Sequence, residues 1–186
     1  MRGRLAVFLC MVLMLCGCKN GNEPLNKALA IRNQLLTGDG CSFTAEVHAD
    51  YGEKLYIFKM DCQVDEAGKL TFKILEPTTI QGITGKVSAD GGAITFDDKI
   101  LAFPTIADGQ ITPVSAPWLI IKTLRSGYLK SCADLDDGFE MIIDDSYEEE
   151  TLQLSVVARG KMPISAEIFW QGRRVLTITI EAFTYL

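Results

Sequence analysis

The sequence predicts an α+β fold in which one antiparallel sheet of about nine strands is accompanied by two helices, all within residues 25–186. Three observations carry this. From Cys41 onward, apolar and polar residues alternate at period two in one segment after another, with Gly, Pro, Asn or Asp at the boundaries. Two stretches, 25–37 and the one beginning at Pro117, follow the helical period instead. No segment repeats, and no linker divides the chain.

The first helix places Leu25, Ala28, Ile31 or Ala30, and Leu35 on one side, and Gly38 follows as a stop. Next, Cys41, Phe43, Ala45 and Val47 alternate with Ser42, Thr44, Glu46 and His48, a strand with one apolar face. Its return is Leu55 to Cys62. With Tyr51-Gly52 as a two-residue loop, Val47 faces Tyr56, Ala45 faces Phe58, Phe43 faces Met60, and Cys41 faces Cys62. In that register the two cysteines form a non-hydrogen-bonded pair, where alpha carbons approach most closely, so a Cys41–Cys62 disulfide is expected and Cys132 is left free.

Lys69–Leu75, Gly85–Ala89, Ala93–Asp97 and Ile100–Phe103 continue the meander. Pro104, Pro113 and Pro117 mark a long connection into the second helix, which carries Trp118, Ile121, Leu124 and then Leu129 or Tyr128 on its apolar side and ends near Gly127. Phe139–Ile143, Thr151–Ala158, Ser165–Trp170 and Val175–Phe183 supply the remaining strands.

Ahead of all this, Arg2 and Arg4 precede an apolar run from Leu5 to Leu15 that closes with Gly17-Cys18. That is the layout of a secretory signal peptide, residues 1–17, and the run is too short to cross a hydrocarbon core of about 30 Å. Leu15-Cys16-Gly17-Cys18 resembles the bacterial lipobox. The resemblance implies that Cys18 receives diacylglycerol, becomes the mature N-terminus, and holds the protein on the extracytoplasmic face of a membrane in the cell envelope. Residues 18–24 then form a short polar tether.

Without Arg2 and Arg4 the chain carries 16 basic against 24 acidic residues, a formal charge of −8, which excludes a basic nucleic-acid footprint. The acyl anchor, not charge, would supply membrane attachment. His48 is the single histidine and lies on the polar side of its strand, with no serine or cysteine tied to it by spacing, so neither a nucleophile–base pair nor an enzyme is expected. Asp134, Asp136 and Asp137 with Gly138 lack the ligand alternation and closing glutamate of a calcium loop, so a solvated turn and no metal or cofactor are expected there. Asp144-Asp145 and Glu148–Glu150 likewise suit a hairpin tip in water.

The order of elements, namely a lipoprotein signal, one helix, a run of strands, an inserted helix after Pro-rich sequence and a final meander, resembles the LolA/LolB lipoprotein-carrier superfamily, extending to LppX- and RseB-like domains. The local likeness is strongest at "FKILEPTTIQGITG", Phe72 to Gly85. It implies an open antiparallel half-barrel with both helices over its concave face, and a hydrophobic ligand between sheet and helices, either a lipid or the acyl chains of a lipoprotein client. Phe43, Phe58, Met60, Phe72, Trp118 and Ile121 are the residues expected to line that groove. The residues themselves leave open a fully packed core, in which case the same fold would serve as a cell-envelope sensor or protein-interaction module.

Overall fold

The computed structural model describes residues 23–50, 52, 54–89, 91–96, 99–100 and 107–186. The predicted leader, Cys18 and most of the tether lie outside these residues, as does most of the strand expected at Ile100–Phe103. Helix α1 (Glu23–Thr37) opens the chain, followed by β1 (Gly40–Asp50), β2 (Leu55–Asp65), β3 (Leu70–Glu76), β4 (Thr84–Ser88), β5 (Gly91–Phe96) and β6 (Lys99–Ile100). A 3-10 turn (Pro113–Ser115) leads into α2 (Ala116–Ser126), and β7 (Tyr128–Leu135), β8 (Gly138–Asp144), β9 (Gln153–Arg159), β10 (Met162–Trp170) and β11 (Arg173–Tyr185) complete the fold.

All described strands join one antiparallel sheet in the order β6-β5-β4-β3-β2-β1-β11-β10-β9-β8-β7. Two meanders are therefore stitched together by the pairing of the first strand with the last, and the sheet stays open because β6 and β7 each have one neighbour. The count is eleven where the sequence suggested about nine. The strand missed outright is β7: Tyr128 and Leu129, expected on the apolar side of the second helix, instead begin an edge strand.

Curvature has a local cause. Five strand pairs carry register shifts, at Ser42/Thr44, Lys59/Met60, Leu129/Ser131, Pro163/Ser165 and Ile168/Phe169. Each extra residue bends its strand and sharpens the twist. On β11 the effect is visible in the burial, since adjacent Val175 and Leu176 are both buried, and Ala182 takes a positive φ of 50° before Phe183 returns to the interior. The result is an α+β half-barrel with α1 and α2 over the concave side.

That concave side is apolar almost throughout. Phe43, Ala45 and Val47 of β1, Phe58 and Met60 of β2, Leu70 and Phe72 of β3, Phe139 and Met141 of β8 and Ile178 of β11 belong to one contiguous core with Ala28, Ile31 and Leu35 of α1. Phe43 stacks on Phe183 with ring centroids 5.6 Å apart, across the β1–β11 seam. Helix α2 is buried around most of its girth, at Ala116, Pro117, Leu119, Ile120, Ile121, Thr123 and Leu124. It stops at Gly127, whose N–H donates to the Thr123 carbonyl at 2.7 Å, and where a β-carbon would lie 2.7 Å from the Thr123 and Asp144 carbonyl oxygens.

The β1–β2 register corrects the expected one. Val47 faces Phe58, Ala45 faces Met60, Phe43 faces Cys62, and Cys41 faces Val64. The last pair is Asp50 with Leu55, so the loop has two more residues than assumed, and the Asp50 carboxylate organises it by accepting from the Gly52 N–H at 2.7 Å. A shift of two leaves every side chain on its face but separates the cysteines. Cys41 and Cys62 become diagonal neighbours, at a typical spacing of roughly 7–8 Å, beyond the usual reach of a disulfide. Both are buried free thiols, and Cys132 on β7 is free and half-buried.

Peptide mapping after unfolding without reductant should therefore return Cys41, Cys62 and Cys132 as separately alkylated thiols, and a Cys41–Cys62 cross-linked peptide would overturn this register. Burial pushes the Cys41 thiol from its ordinary 9.0 up to about 12 and the Cys62 thiol well above its ordinary value. The unfolded chain loses these protons first, so stability should hold below about pH 9 and fall as pH rises toward about 12. Urea melts at stepped pH should show that fall, and Cys41→Ala should reduce it to the part that Cys62 contributes.

Candidate functional site

The residues expected to line a groove separate into two groups. Phe43, Phe58, Met60, Phe72 and Ile121 are all inside the core, and the least buried of them, Phe58, is 5% exposed. They share one apolar cluster, but as packed core side chains, Ile121 from α2 and the others from β1, β2 and β3, and not as the walls of an open channel. Trp118 stands apart. It is half-buried on the outer side of α2 and lines an open cleft of about 440 Å³ with Leu36, Gly68, Lys69, Lys122 and Arg125. Its indole Nε1 donates to the Gly68 carbonyl at 3.2 Å, and the Lys122 ammonium sits 5.9 Å from the ring centroid.

What keeps α2 in the half-barrel is therefore of two kinds. Inward, its contacts are apolar and non-directional. Outward, a set of polar attachments crosses to neighbouring backbone. Arg125 Nη1 donates to the Leu35 carbonyl and Nη2 to the Glu66 carbonyl, both at 2.9 Å. In return Arg32 of α1 donates through Nε to the Leu124 carbonyl at 2.9 Å and through Nη2 to the Gly127 carbonyl at 2.7 Å. Each helix thus closes the carbonyl end of the other, where unpaired acceptors and the helix dipole favour a cation. Lys122 adds an ion pair to Asp145 at 3.4 Å.

Inside, one group is unsatisfied. Thr123 is fully buried and its Oγ1 has no hydrogen-bond partner among the described residues. An unpaired buried hydroxyl costs about 1–3 kcal/mol, so α2 is seated against a penalty that its apolar contacts must exceed.

The remaining candidates resolve into ordinary surface chemistry. His48 Nε2 lies 2.7 Å from Glu46 Oε1 on the outer face of β1, with Ile57 and Thr177 as its cross-strand partners. Asp134 pairs with Lys27 at 3.0 Å, and Asp137 takes the Arg159 guanidinium with both oxygens. Asp144 pairs with Lys130 at 3.2 Å, while Asp145 accepts from the Leu152 N–H at 2.9 Å and from Thr151 Oγ1. Among the described residues no group of three His, Cys, Asp or Glu side chains is placed to hold a metal ion. Tyr128, expected on the apolar side of the second helix, is exposed and packs on Tyr147 at 5.5 Å. The sequence reading missed the Arg32–Arg125 exchange.

No protein-family model matches the chain, and no curated protein matches it. Solved structures do. A LolA superfamily protein from Nitrosomonas europaea aligns with a TM-score of 0.45 at 10% identity, over 84% of this chain and 92% of that one. A putative outer membrane lipoprotein-sorting protein domain from Vibrio parahaemolyticus gives 0.45 at 10% identity, over 89% and 93%. The lipoprotein LppX of Mycobacterium tuberculosis gives 0.41 at 11% identity, over 86% and 92%.

The packing assigns different costs to the two groups. Phe72→Ala should destabilise the domain by about 3–5 kcal/mol in denaturant melts, as a large buried aromatic does. Trp118→Ala should cost clearly less, because part of the ring already faces water. Equal costs would contradict the division between core and cleft.

Proposed function

We propose that this chain is a non-enzymatic binding protein of the cell envelope, held at a membrane through lipidated Cys18, that takes a lipid or the acyl chains of a lipoprotein by letting α2 swing out of the half-barrel. The observation that carries this reading is the asymmetry of α2. Its inner contacts are apolar and would be equally satisfied by hydrocarbon, whereas its outer attachments are a few hydrogen bonds from Arg32, Arg125 and Trp118 at the surface. Pro113 before the helix, Pro117 in its first turn and Gly127 after it bound the moving segment. Displacement would uncover Phe43, Phe58, Met60 and Phe72, return Thr123 Oγ1 to water, and leave Ile121 on the departing helix. Acyl chains lying in that trough would replace apolar contacts at about 0.8 kcal/mol per buried methylene.

A second reading has its own support. Five of the six groove residues are buried in a filled core. A module that never opens would bind a protein partner on its surface, with the half-barrel as a rigid frame.

Mass spectrometry of organic extracts from the purified protein, together with a fluorescent fatty-acid titration, separates the two. The opening reading predicts co-purifying lipid or saturable probe uptake. It also predicts that Arg125→Ala, which removes two hydrogen bonds from the latch at a cost of roughly 1–3 kcal/mol, speeds probe entry while the fold persists. No lipid, no uptake and no effect of Arg125→Ala on entry would leave the filled module as the answer.

A further inference from the structure

Helix α1 carries a second apolar stripe that the core does not use. Its buried side is Pro24, Ala28, Ile31 and Leu35. Leu25, Leu29 and Leu36 are 39%, 45% and 52% exposed. At about 100° per residue these three fall within roughly 40° of one another, about a quarter-turn or more from the buried side. Arg32 completes the i, i+4, i+7, i+11 row, but its guanidinium is committed to the α2 carbonyls. Isolated exposed leucines are ordinary, whereas a row of them along one flank is not. At its C-terminal end the row reaches the cleft where Leu36 meets Trp118 and Lys122. An indole and an ammonium are side chains that suit a membrane–water boundary.

The position of the row says what it faces. Only four residues, or five Cα-to-Cα steps, separate Cys18 from Glu23, the first residue of α1. A fully extended chain spans at most about 3.3–3.6 Å per residue, so an acylated Cys18 would hold the first turn of α1 within roughly 18 Å of the bilayer surface. The acidic groups nearest the tether do not oppose this approach. Glu23 and Asp134 are both bridged by Lys27, which projects from the opposite flank of the helix.

We propose that α1 lies along the membrane that holds Cys18, with Leu25, Leu29 and Leu36 set into the boundary between headgroups and acyl chains. The inference rests on the lipidation of Cys18. It makes the tether a short hinge and α1 the membrane-facing element, and it brings the helix-covered side of the half-barrel toward the source of lipid.

The test uses the full-length, processed protein in vesicles of phosphatidylethanolamine and phosphatidylglycerol, in a Cys132→Ser background in which the remaining native thiols are buried. An environment-sensitive fluorophore is placed by Leu29→Cys, by Leu36→Cys, or by Gln63→Cys on the outer face of the sheet. The Leu29 and Leu36 probes should shift to the blue, roughly double in intensity and be quenched by spin-labelled lipid, as expected for insertion by several ångströms, while the Gln63 probe stays water-like. The mass of the N-terminal peptide is measured on the same sample. Water-like Leu29 and Leu36 probes on a protein with acylated Cys18 would overturn the membrane contact and leave the anchor intact. An unacylated Cys18 would overturn both. Shifted probes that lipid quenchers do not reach, and that cross-link between copies, would overturn the membrane contact in favour of a second copy on this flank.

Discussion

The structure depends on one constraint, which is that a wide sheet with one continuous apolar face cannot leave that face in water. Two helices are too narrow to cover it if it is flat. Bulges at five strand pairs curl the sheet, so the area to be covered shrinks and α2 can be surrounded instead of merely laid on top. Burial of Leu119, Ile120, Ile121 and Leu124 on one short helix is the consequence, and the helix in turn fills the space the curvature creates.

Surrounding a helix in this way raises the problem of its ends, because carbonyls at a C-terminus need partners. The exchange between α1 and α2 answers it. Arg32 reaches the last carbonyls of α2 and Arg125 reaches the Leu35 carbonyl near the end of α1, so each helix is held by a charge from the other. The two helices are consequently one polar unit at the surface and two separate apolar plugs beneath it. A change that frees one guanidinium loosens one carbonyl end and leaves the apolar contacts in place, which is why the latch and the core can be separated experimentally.

Much of this was legible in the sequence because it is written in side-chain period. The alternation from Phe43 to Val47 marks the inner face of β1 whatever the register, and Pro117 and Gly127 bracket α2 by backbone chemistry alone. What could not be read depended on groups that carry no residue identity. Loop length between β1 and β2 is set by a carboxylate accepting from a backbone N–H, and the choice of four residues over two moves Cys41 away from Cys62 without disturbing the pattern. The Arg32 and Arg125 contacts end on carbonyls, which every residue possesses. Strand β7 hid for another reason, since "YLKSCADL" lies at an edge, is exposed at most positions and has no alternation to display. The filled state of the interior is a matter of volume, and apolar residues look alike in sequence whether they touch one another or a ligand.

Strand β7 also bears on how many copies could share a membrane. Its outer side has no neighbouring strand among the described residues, and molecules confined to a plane collide sideways far more often than in solution. A flat edge would then recruit the next molecule, and sheets would grow from copy to copy. Here the register shift between Leu129 and Ser131 breaks the row, and Lys130 and Asp134 place ion-paired charges along it. If the chain is held at a membrane as proposed, crowding would press such edges together without offering them a ladder to complete, and each half-barrel would remain an individual as surface density rises.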